Sequence, residues 1–255
     1  MRVKRLQDIV SYVNKNTIVS FKELSKEFNV SSATIRRDLK ELHEQKLIQK
    51  FYGGVRSVTE DQNMELPLNK RFVLNIEEKK RIAAQARSTI CENDIIILDS
   101  STTVIELAKQ LVDSPIDIVV ITNDANIAYI LAMNSHIDLI LVGGSIRHGY
   151  YTALGLFSEM MWKQLHANKL FMGVDAINPK LGALSFQIEE VRSKKLMLEC
   201  SEKCIVLCDH TKFSASAVLE ICPIDRIDTV ITGSELEDSV LESFAVHEHL
   251  EIFRA

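Results

Sequence analysis

Residues 21–58 read FKELSKEFNVSSATIRRDLKELHEQKLIQKFYGGVRSV, and they contain two short helix patterns followed by a hairpin pattern. In the first helix, Leu24 and Phe28 are four residues apart and therefore share one face. Asn29 stands where the chain must turn, and asparagine tolerates the positive φ that such a turn requires. Gly53-Gly54 marks the tip of the hairpin. This order of elements predicts a winged helix-turn-helix, a module that reads DNA.

The second helix carries the side chains that reading a major groove requires. It starts at Ser32 behind Ser31, a good N-cap, and Ile35, Leu39 and Leu42 form its buried stripe. The side chains predicted to contact DNA from this helix and its cap are Ser31, Ser32, Thr34, Arg36, Arg37 and Lys40. Arginine binds guanine through two hydrogen bonds, and hydroxyls bond phosphates or base edges. The same periodicity also fits an ordinary pair of packed helices.

The hairpin favours the DNA-binding interpretation. Residues 47–51 and 55–58 have strand-like content and are predicted to form a wing. Lys50 and Arg56 flank its turn, where we expect them to meet phosphates. A further helix, predicted over residues 4–16, supplies apolar side chains that pack beneath the pair.

Charge is distributed unevenly along the chain. Residues 1–56 hold 12 Lys and Arg against 6 Asp and Glu, a net charge of +6. The remaining residues hold 18 against 29, a net charge of −11, and the two parts give the total of −5. A basic N-terminal part followed by an acidic C-terminal part suits a domain that contacts phosphates joined to a second domain with a different function.

Composition excludes several other classes of protein. The 255 residues are 46% apolar and 25% charged, as in ordinary globular proteins, and no long uncharged apolar run suggests a membrane span. We see no signal peptide, and five cysteines make no disulfide framework, so we expect a cytoplasmic protein. Cys200, Cys204 and Cys208 are evenly spaced, but the run from Cys204 to Cys208 reads as a buried strand whose side chains alternate. We therefore expect neither a metal ion nor another cofactor.

The remaining sequence predicts a second, larger domain. We predict DNA-binding over residues 1–58, a polar linker over 59–75, and an effector-sensing and oligomerisation domain over 76–255. Six strand-like runs in the larger domain span residues 95–98, 118–121, 139–142, 170–174, 205–207 and 229–231. They are short, continuous and β-branched, and helix patterns separate most of them. This alternation predicts an α/β fold with a mostly parallel sheet.

Polar side chains follow the predicted strands, where ligands bind in such sheets. The residues predicted to bind the effector are Asp99, Ser100, Ser101, Thr102, Thr103, Thr122, Asn123, Gly143, Gly144, Arg147, Asp175, Asp209 and Lys212. Hydroxyls and free N–H groups at the start of a helix suit a phosphate, which the 100–103 loop and Lys212 would hold. The three aspartates would accept hydrogen bonds from sugar hydroxyls, or instead cap backbone groups of their own loops. Thr122-Asn123, taken alone, also fits a simple helix cap.

The order of SSATIRRDLKEL, FYGGV, KRFVLNIEEKKRIAAQA, LDSSTTVIELAKQL, VVITND, LVGG, LFMGVDAI and CDHTKF resembles the DeoR family of bacterial transcription regulators. The resemblance covers nearly the whole chain. It implies a winged helix that usually represses sugar or nucleoside operons, and a C-terminal domain related to sugar-phosphate isomerases that senses a phosphorylated sugar. It also implies a homodimer or homotetramer on operator DNA. Ser100 and Ser101 stand where the family often has a glycine, and Tyr52 where it often has a histidine.

Two other functions compete with this one. An isomerase-like enzyme would use Asp175, Glu189 and Lys212 for acid–base chemistry, but an enzyme needs no basic DNA-reading head, so we expect no catalytic residues. A DNA-binding protein that senses no ligand would not need the polar strand ends. Turnover of sugar phosphates distinguishes the first alternative, and DNA affinity that no ligand changes distinguishes the second.

Overall fold

The computed structural model describes residues 2–16, 18–44, 47–51, 53–57 and 65–255. The expectations for Tyr52 and Val58 lie outside these ranges. Contacts divide the chain into two units, one of residues 1–61 and 66–76 and the other of residues 62–65 and 77–255.

The first unit is the predicted winged helix. Its elements in chain order are α1 (Arg2–Asn16), β1 (Ile18–Ser20), α2 (Phe21–Glu27), α3 (Ser32–Glu44), β2 (Ile48–Phe51), β3 (Gly54–Ser57) and α4 (Leu68–Val73). The hairpin of β2 and β3 is confirmed, with Phe51 opposite Gly54. We did not predict β1, which pairs with β3 and turns the hairpin into a three-stranded antiparallel sheet in the order β1-β3-β2.

Local signals set the boundaries of these helices. Ser20 and Glu23 form a reciprocal capping box that starts α2. Asn29 adopts a φ of 47° in the turn, as predicted. The Ser31 hydroxyl accepts the N–H of Thr34 at 3.2 Å and so caps α3.

The core of the first unit joins the three leading helices to the wing. Its largest fully buried side chains are Ile9, Leu24, Ile35, Leu39, Leu42 and Ile48. The predicted stripe of α3 therefore faces this core.

Part of the segment predicted as a linker is helical. α4 begins after Pro67, which occupies the N-cap position and has an extended ψ of 141°. Val73 and Leu74 at its end pack against the apolar core of the first unit. Proline fits the start of a helix because it has no N–H to lose there, so this signal was available in the sequence.

The second unit is built on a seven-stranded sheet in the order β15-β14-β12-β9-β4-β5-β6. The strands are β4 (Ile95–Leu98), β5 (Ile118–Thr122), β6 (Ile137–Leu141), β9 (Ala167–Met172), β12 (Ser201–Leu207), β14 (Thr229–Thr232) and β15 (Glu251–Arg254). All six neighbouring pairs are parallel. The six predicted strands are confirmed, and β15 completes the sheet at one edge.

Helices connect and cover these strands. They are α5 (Ile76–Arg87), α6 (Thr102–Leu111), α7 (Ala125–Leu131), α8 (Leu156–Trp162), α9 (Ile188–Glu199) and α10 (Asp238–Phe244). Ser101 caps α6 and Asp124 caps α7, so both helices begin within four residues of a strand end. The central strands are buried, as continuous apolar strands in an α/β fold should be.

Smaller elements at the strand ends were not predicted. β7 (Ser145–Ile146) and β8 (Ala153–Leu154) form a hairpin, and β10 (Ala176–Asn178), β11 (Gly182–Ser185) and β13 (Leu219–Cys222) form an antiparallel sheet. Strands of two to four residues are too short for alternation to be recognised. Within the described ranges, every helix is too short or too polar to cross a membrane.

Candidate functional sites

The side chains predicted to contact DNA are all at least partly exposed. Ser31, Ser32, Arg36, Arg37, Lys40 and Arg56 are exposed, and Thr34 and Lys50 are half-buried. The buried residues of α3 are Ile35, Asp38, Leu39 and Leu42, so the helix separates a core face from a polar, basic face. The first turns of α3 thus present hydroxyls and two arginines, which is the chemistry of a recognition helix.

The wing adds positive charge to this surface. Burial lowers the pKa of Lys50, and the charges of Lys40 and Arg36 lower it further, while Glu44 opposes them. Lys50 therefore lies close enough to α3 to share one electrostatic environment with its basic face. Arg56 donates from Nε to Gln49 on the opposite strand at 2.8 Å, which fixes the arginine on the wing.

Asp38 is a structural residue of α3 that the sequence analysis missed. It is 1% exposed, and Arg5 of α1 donates from Nε to its Oδ2 at 2.8 Å. The pair joins the leading helix to the core face of α3. The sequence signal for this structural role was an acidic residue, Asp38, within the apolar stripe of α3.

In the second unit, the loop after β4 is built around Asp99. Its Oδ1 accepts the N–H of Ser101 at 3.0 Å, and its Oδ2 accepts the N–H of Gly173 at 2.9 Å. Lys194 of α9 pairs with the same Oδ2 and donates to the Gly173 carbonyl at 2.9 Å. Ser101, Thr102 and Thr103 are buried and Ser100 is half-buried. The Ser101 hydroxyl accepts the N–H of Val104 at 3.3 Å, so the first turn of α6, where the anion site is predicted, is capped in part by its own side chain.

The loop after β5 is held by its own polar side chains. Thr122 Oγ1 accepts the N–H of Asp124 at 3.1 Å. Asn123 donates from Nδ2 to the Ala153 carbonyl at 3.0 Å and to Ser193 Oγ at 3.5 Å, and its buried Oδ1 has no partner among the described groups. These contacts fit the cap interpretation for Thr122, whereas Asn123 retains one buried acceptor.

The loop after β6 places Arg147 between two carboxylates. Gly143 is open, whereas a side chain at Gly144 would clash with the Leu154 carbonyl of β8. Arg147 pairs with Glu190 of α9 and, through both terminal nitrogens, with Glu65 at 2.6 and 3.1 Å. Burial lowers the pKa of Arg147, but its hydrogen bonds to Glu65 and the two carboxylate charges outweigh burial and raise that pKa. The guanidinium is therefore permanently charged.

The remaining two strand ends carry aspartates that hold backbone. Asp175 Oδ2 accepts the Ser185 hydroxyl at 2.8 Å and the N–H of Phe186 at 3.2 Å. Asp209 accepts the N–H of Thr211 at 3.1 Å. Burial alone would raise the pKa of Asp209, but the charges of Lys212 and Lys79 lower it to about 2. Asp99 and Asp209 thus each accept an N–H group of their own loop, whereas Asp175 holds the loop that follows β11.

One group of side chains has the composition of a metal site. Glu78, Asp209 and His210 each place a ligand atom within 4.8 Å of the others. Glu78 accepts both the N–H of His210 at 2.8 Å and its Nδ1 at 2.9 Å, and this hydrogen bond raises the pKa of the imidazole. Lys79 and Lys212 lie close to Asp209, so the local charge disfavours a cation.

The evenly spaced cysteines do not form such a group among the described residues. Cys200, Cys204 and Cys208 are buried, and burial raises the pKa of each thiol. A raised pKa disfavours the thiolate that binds metal.

A single face of α9 joins the strand-end loops. Glu190 binds Arg147 after β6, Ser193 binds Asn123 after β5, and Lys194 binds Asp99 after β4. The positions 190, 193 and 194 follow the helical spacing of three and four, so this polar stripe was readable in the sequence but was not recognised. The structure thus brings together Asp99, Asn123, Arg147 and Gly173 through α9. Lys79 and Lys212 both lie close to Asp209, at the end of β12.

A cleft of about 390 Å³ opens at the other end of the sheet. It is lined by the first residues of β4, β9 and β12, which are Ile95, Ala167 and Ser201, together with His166 and Glu199. It lies at the amino ends of these strands, away from the loops described above.

Each of the two units matches a known family of protein domains. Residues 5–61 match the DeoR-like helix-turn-helix domain and residues 74–234 match the DeoR C terminal sensor domain. The chain is 31% identical over 241 residues to the HTH-type transcriptional regulator GolR of Listeria innocua, covering 94% of each chain. It is 29% identical over 251 residues to the glycerol-3-phosphate regulon repressor of Escherichia coli, covering 98% of each.

A similar solved structure is ribose 5-phosphate isomerase A from Neisseria gonorrhoeae, with 19% identity and a TM-score of 0.38. It covers 53% of this chain and 52% of that one. A likeness this low supports no functional argument. The two domain matches together span most of the chain, and the chain therefore belongs to the DeoR family of transcriptional regulators.

Proposed function

We propose that this protein is a repressor that binds operator DNA through α3 and the wing, and releases it when the second unit binds a phosphorylated sugar. The target would be an operon of sugar or nucleoside catabolism, and the active form a cytoplasmic homodimer or homotetramer. The observation that carries the proposal is the pairing of a basic, exposed recognition face in one unit with polar strand-end loops gathered by α9 in the other.

The DNA-binding part rests on exposure and charge. Arg36 and Arg37 are exposed in the first turns of α3, Lys50 of the wing lies near Arg36 and Lys40, and Arg56 is exposed on the same hairpin. Arginines on a recognition helix discriminate bases, whereas lysines on a wing neutralise phosphates. Two such DNA-binding units in an oligomer would read paired half-sites one helical turn of DNA apart.

The effector part rests on the strand-end loops. The start of α6 and the charge of Lys212 supply groups that attract a phosphate. Asn123 Oδ1 is a buried acceptor that a sugar hydroxyl would satisfy. The name of the Escherichia coli relative contains a phosphorylated polyol, which belongs to this chemical class.

Release of DNA requires a difference in affinity between two states. The sugar phosphate must bind the arrangement that does not bind DNA more tightly, because coupling between two ligands is reciprocal. A tenfold loss of operator affinity corresponds to a coupling free energy of about 1.4 kcal/mol.

The DNA-binding part is tested by substituting the exposed arginines. Genomic fragments captured by the wild-type protein supply the operator. Arg36→Ala and Arg37→Ala should each weaken its binding by about 1–3 kcal/mol, because each removes a base or phosphate contact. Lys180→Ala, which removes one exposed positive charge from the second unit, is the matched control and should leave the affinity unchanged. If both arginines are dispensable, α3 is not the recognition helix.

The effector part is tested by thermal shift of the full-length protein against sugar phosphates and their parent sugars. A rise confined to phosphorylated compounds supports the proposal, because a ligand selective for the native state raises its stability. Lys212→Ala should reduce the rise while sparing DNA binding. Consumption of the stabilising compound by the protein would instead favour the isomerase-like enzyme, and operator affinity that no compound changes would favour the ligand-independent DNA binder.

A further inference from the structure

Side chains from the β7–β8 hairpin that follows β6 and from the start of α9 form a cradle of hydrogen-bond donors suited to an oxyanion. Arg147 donates to Glu65 from Nη1 at 3.1 Å and from Nη2 at 2.6 Å, which is the two-pronged geometry that arginine uses for carboxylate and phosphate alike. Tyr150 donates its hydroxyl to Glu65 Oε1 at 2.8 Å, and Gln187 donates Nε2 to Oε2 at 3.0 Å. Four donated hydrogen bonds thus converge on one carboxylate. We name Arg147, Tyr150 and Gln187 the oxyanion cradle.

The cradle is rigid and partly removed from water. The Arg147 guanidinium carbon lies 3.6 Å from the centre of the Tyr150 ring, so the arginine is stacked as well as hydrogen-bonded. The side chains of Arg147 and Glu65 are 16% and 8% exposed. Glu190 of α9 binds the Arg147 Nη1 atom and keeps the guanidinium oriented whatever anion occupies the cradle.

The carboxylate in the cradle belongs to Glu65, which lies in the short segment 62–65 of the second unit, before its main part at residues 77–255. Glu65 belongs to the second unit, whereas the next residues, 66–76, belong to the first. Its partner Arg147 is 82 positions further along the chain. The Glu65 carboxylate therefore acts as an internal ligand of the cradle, and the chain that follows it, residues 66–76, belongs to the DNA-binding unit.

We propose that the cradle exchanges the Glu65 carboxylate for a phosphate group of a ligand, and that this exchange frees the segment leading to the DNA-binding unit. The exchange replaces a carboxylate of charge −1 by a phosphate group of about −1.5 to −2, so Arg147 keeps an anionic partner throughout. A ligand must compete with a tethered carboxylate whose effective concentration is on the order of millimolar. This consequence for DNA rests on the proposed function, whereas the exchange of anions does not.

Inorganic phosphate binding to the full-length protein tests the exchange. Glu65→Gln keeps the shape of the side chain but removes its charge, so this variant should bind phosphate at least tenfold more tightly than the wild type. Glu77→Gln is the matched control, because Glu77 is an exposed carboxylate paired with Lys80, and its phosphate affinity should equal that of the wild type. Adding Arg147→Ala to Glu65→Gln should abolish the gain.

Amide hydrogen exchange over residues 66–75 provides the second measurement. Phosphate should speed exchange there in the wild type, and Glu65→Gln should show the faster exchange without phosphate. Equal phosphate affinity in the wild type and Glu65→Gln, or a gain that survives Arg147→Ala, would overturn the proposal, as would absence of binding to Glu65→Gln. If Glu65→Gln gains affinity but no sugar phosphate changes operator binding, the cradle stands and the proposed function fails.

Discussion

Lys194→Met removes the cation that holds the loop after β4. Lys194 is 6% exposed and its ammonium pairs with Asp99, which is 0% exposed. Removing one partner of a buried ion pair lowers the free energy of unfolding by about 3–5 kcal/mol, because the remaining charge is left uncompensated. Asp99 would keep its hydrogen bonds from the N–H groups of Ser101 and Gly173, so we expect the lower part of this range, about 3 kcal/mol.

The chain supplies its own probe for this measurement. Trp162 is the single tryptophan, is fully buried, and donates from Nε1 at 3.1 Å to Ser193, the residue before Lys194. Urea unfolding followed by its fluorescence reports the second unit directly. Lys195→Met is the matched control, because Lys195 is exposed and its loss should change stability by less than about 0.5 kcal/mol.

A double-mutant cycle separates the ion pair from packing. Adding Asp99→Asn to Lys194→Met removes the uncompensated charge, so the double variant should be at least about 1 kcal/mol more stable than Lys194→Met alone. The reasoning is refuted if Lys194→Met costs less than about 1 kcal/mol, or if the two substitutions destabilise the protein additively.

Three further substitutions test other parts of the structure. Gly173→Ala should destabilise the second unit by about 1–3 kcal/mol in urea unfolding, because its Cβ would clash with Ser101. Ser20→Ala should destabilise the first unit by about 1 kcal/mol, measured by circular dichroism, because it removes the capping box of α2. His210→Gln should be most destabilising below the imidazole's unfolded pKa of about 6.5, and its cost should shrink as pH rises through the raised folded pKa, because Glu78 binds the charged ring more strongly than the neutral one.

Controls and contrary outcomes are specific to each substitution. Gly143→Ala places its Cβ in open space and should be nearly neutral, so equal effects at both glycines would contradict the clash argument. A Ser20→Ala variant as stable as the wild type would show that the cap contributes nothing. A cost of His210→Gln that is the same at pH 5 and pH 9 would show that the imidazole's charge is not involved.

Much of the fold is local in origin, and the sequence therefore predicts it. Strands such as Ile95–Leu98 and Ile118–Thr122 are continuous apolar runs ended by polar residues, and their periodicity is distinct from that of helices. The caps at Ser31 and Asn29 depend on side-chain chemistry within a few residues. The start of α4 at Pro67 also depends on local chemistry, although it lies within the predicted linker.

The site is less predictable because its contacts are long-range. The sequence indicates that Asp99 and Arg147 follow strands, but not that Lys194 neutralises the first and Glu65 the second. These partners are 95 and 82 positions away, and their pairing depends on the placement of α9 and the β7–β8 hairpin. The helical spacing of Glu190 and Lys194 shows only that they share a face.

The central claim is that a phosphorylated sugar bound to the second unit changes the affinity of the first unit for DNA. The most direct measurement is operator binding by the full-length protein, titrated with the sugar phosphate that stabilises it and with the parent sugar. We predict at least a tenfold loss of operator affinity with the phosphorylated compound and no change with the parent sugar. Operator affinity that stays constant while the sugar phosphate is bound would contradict the account.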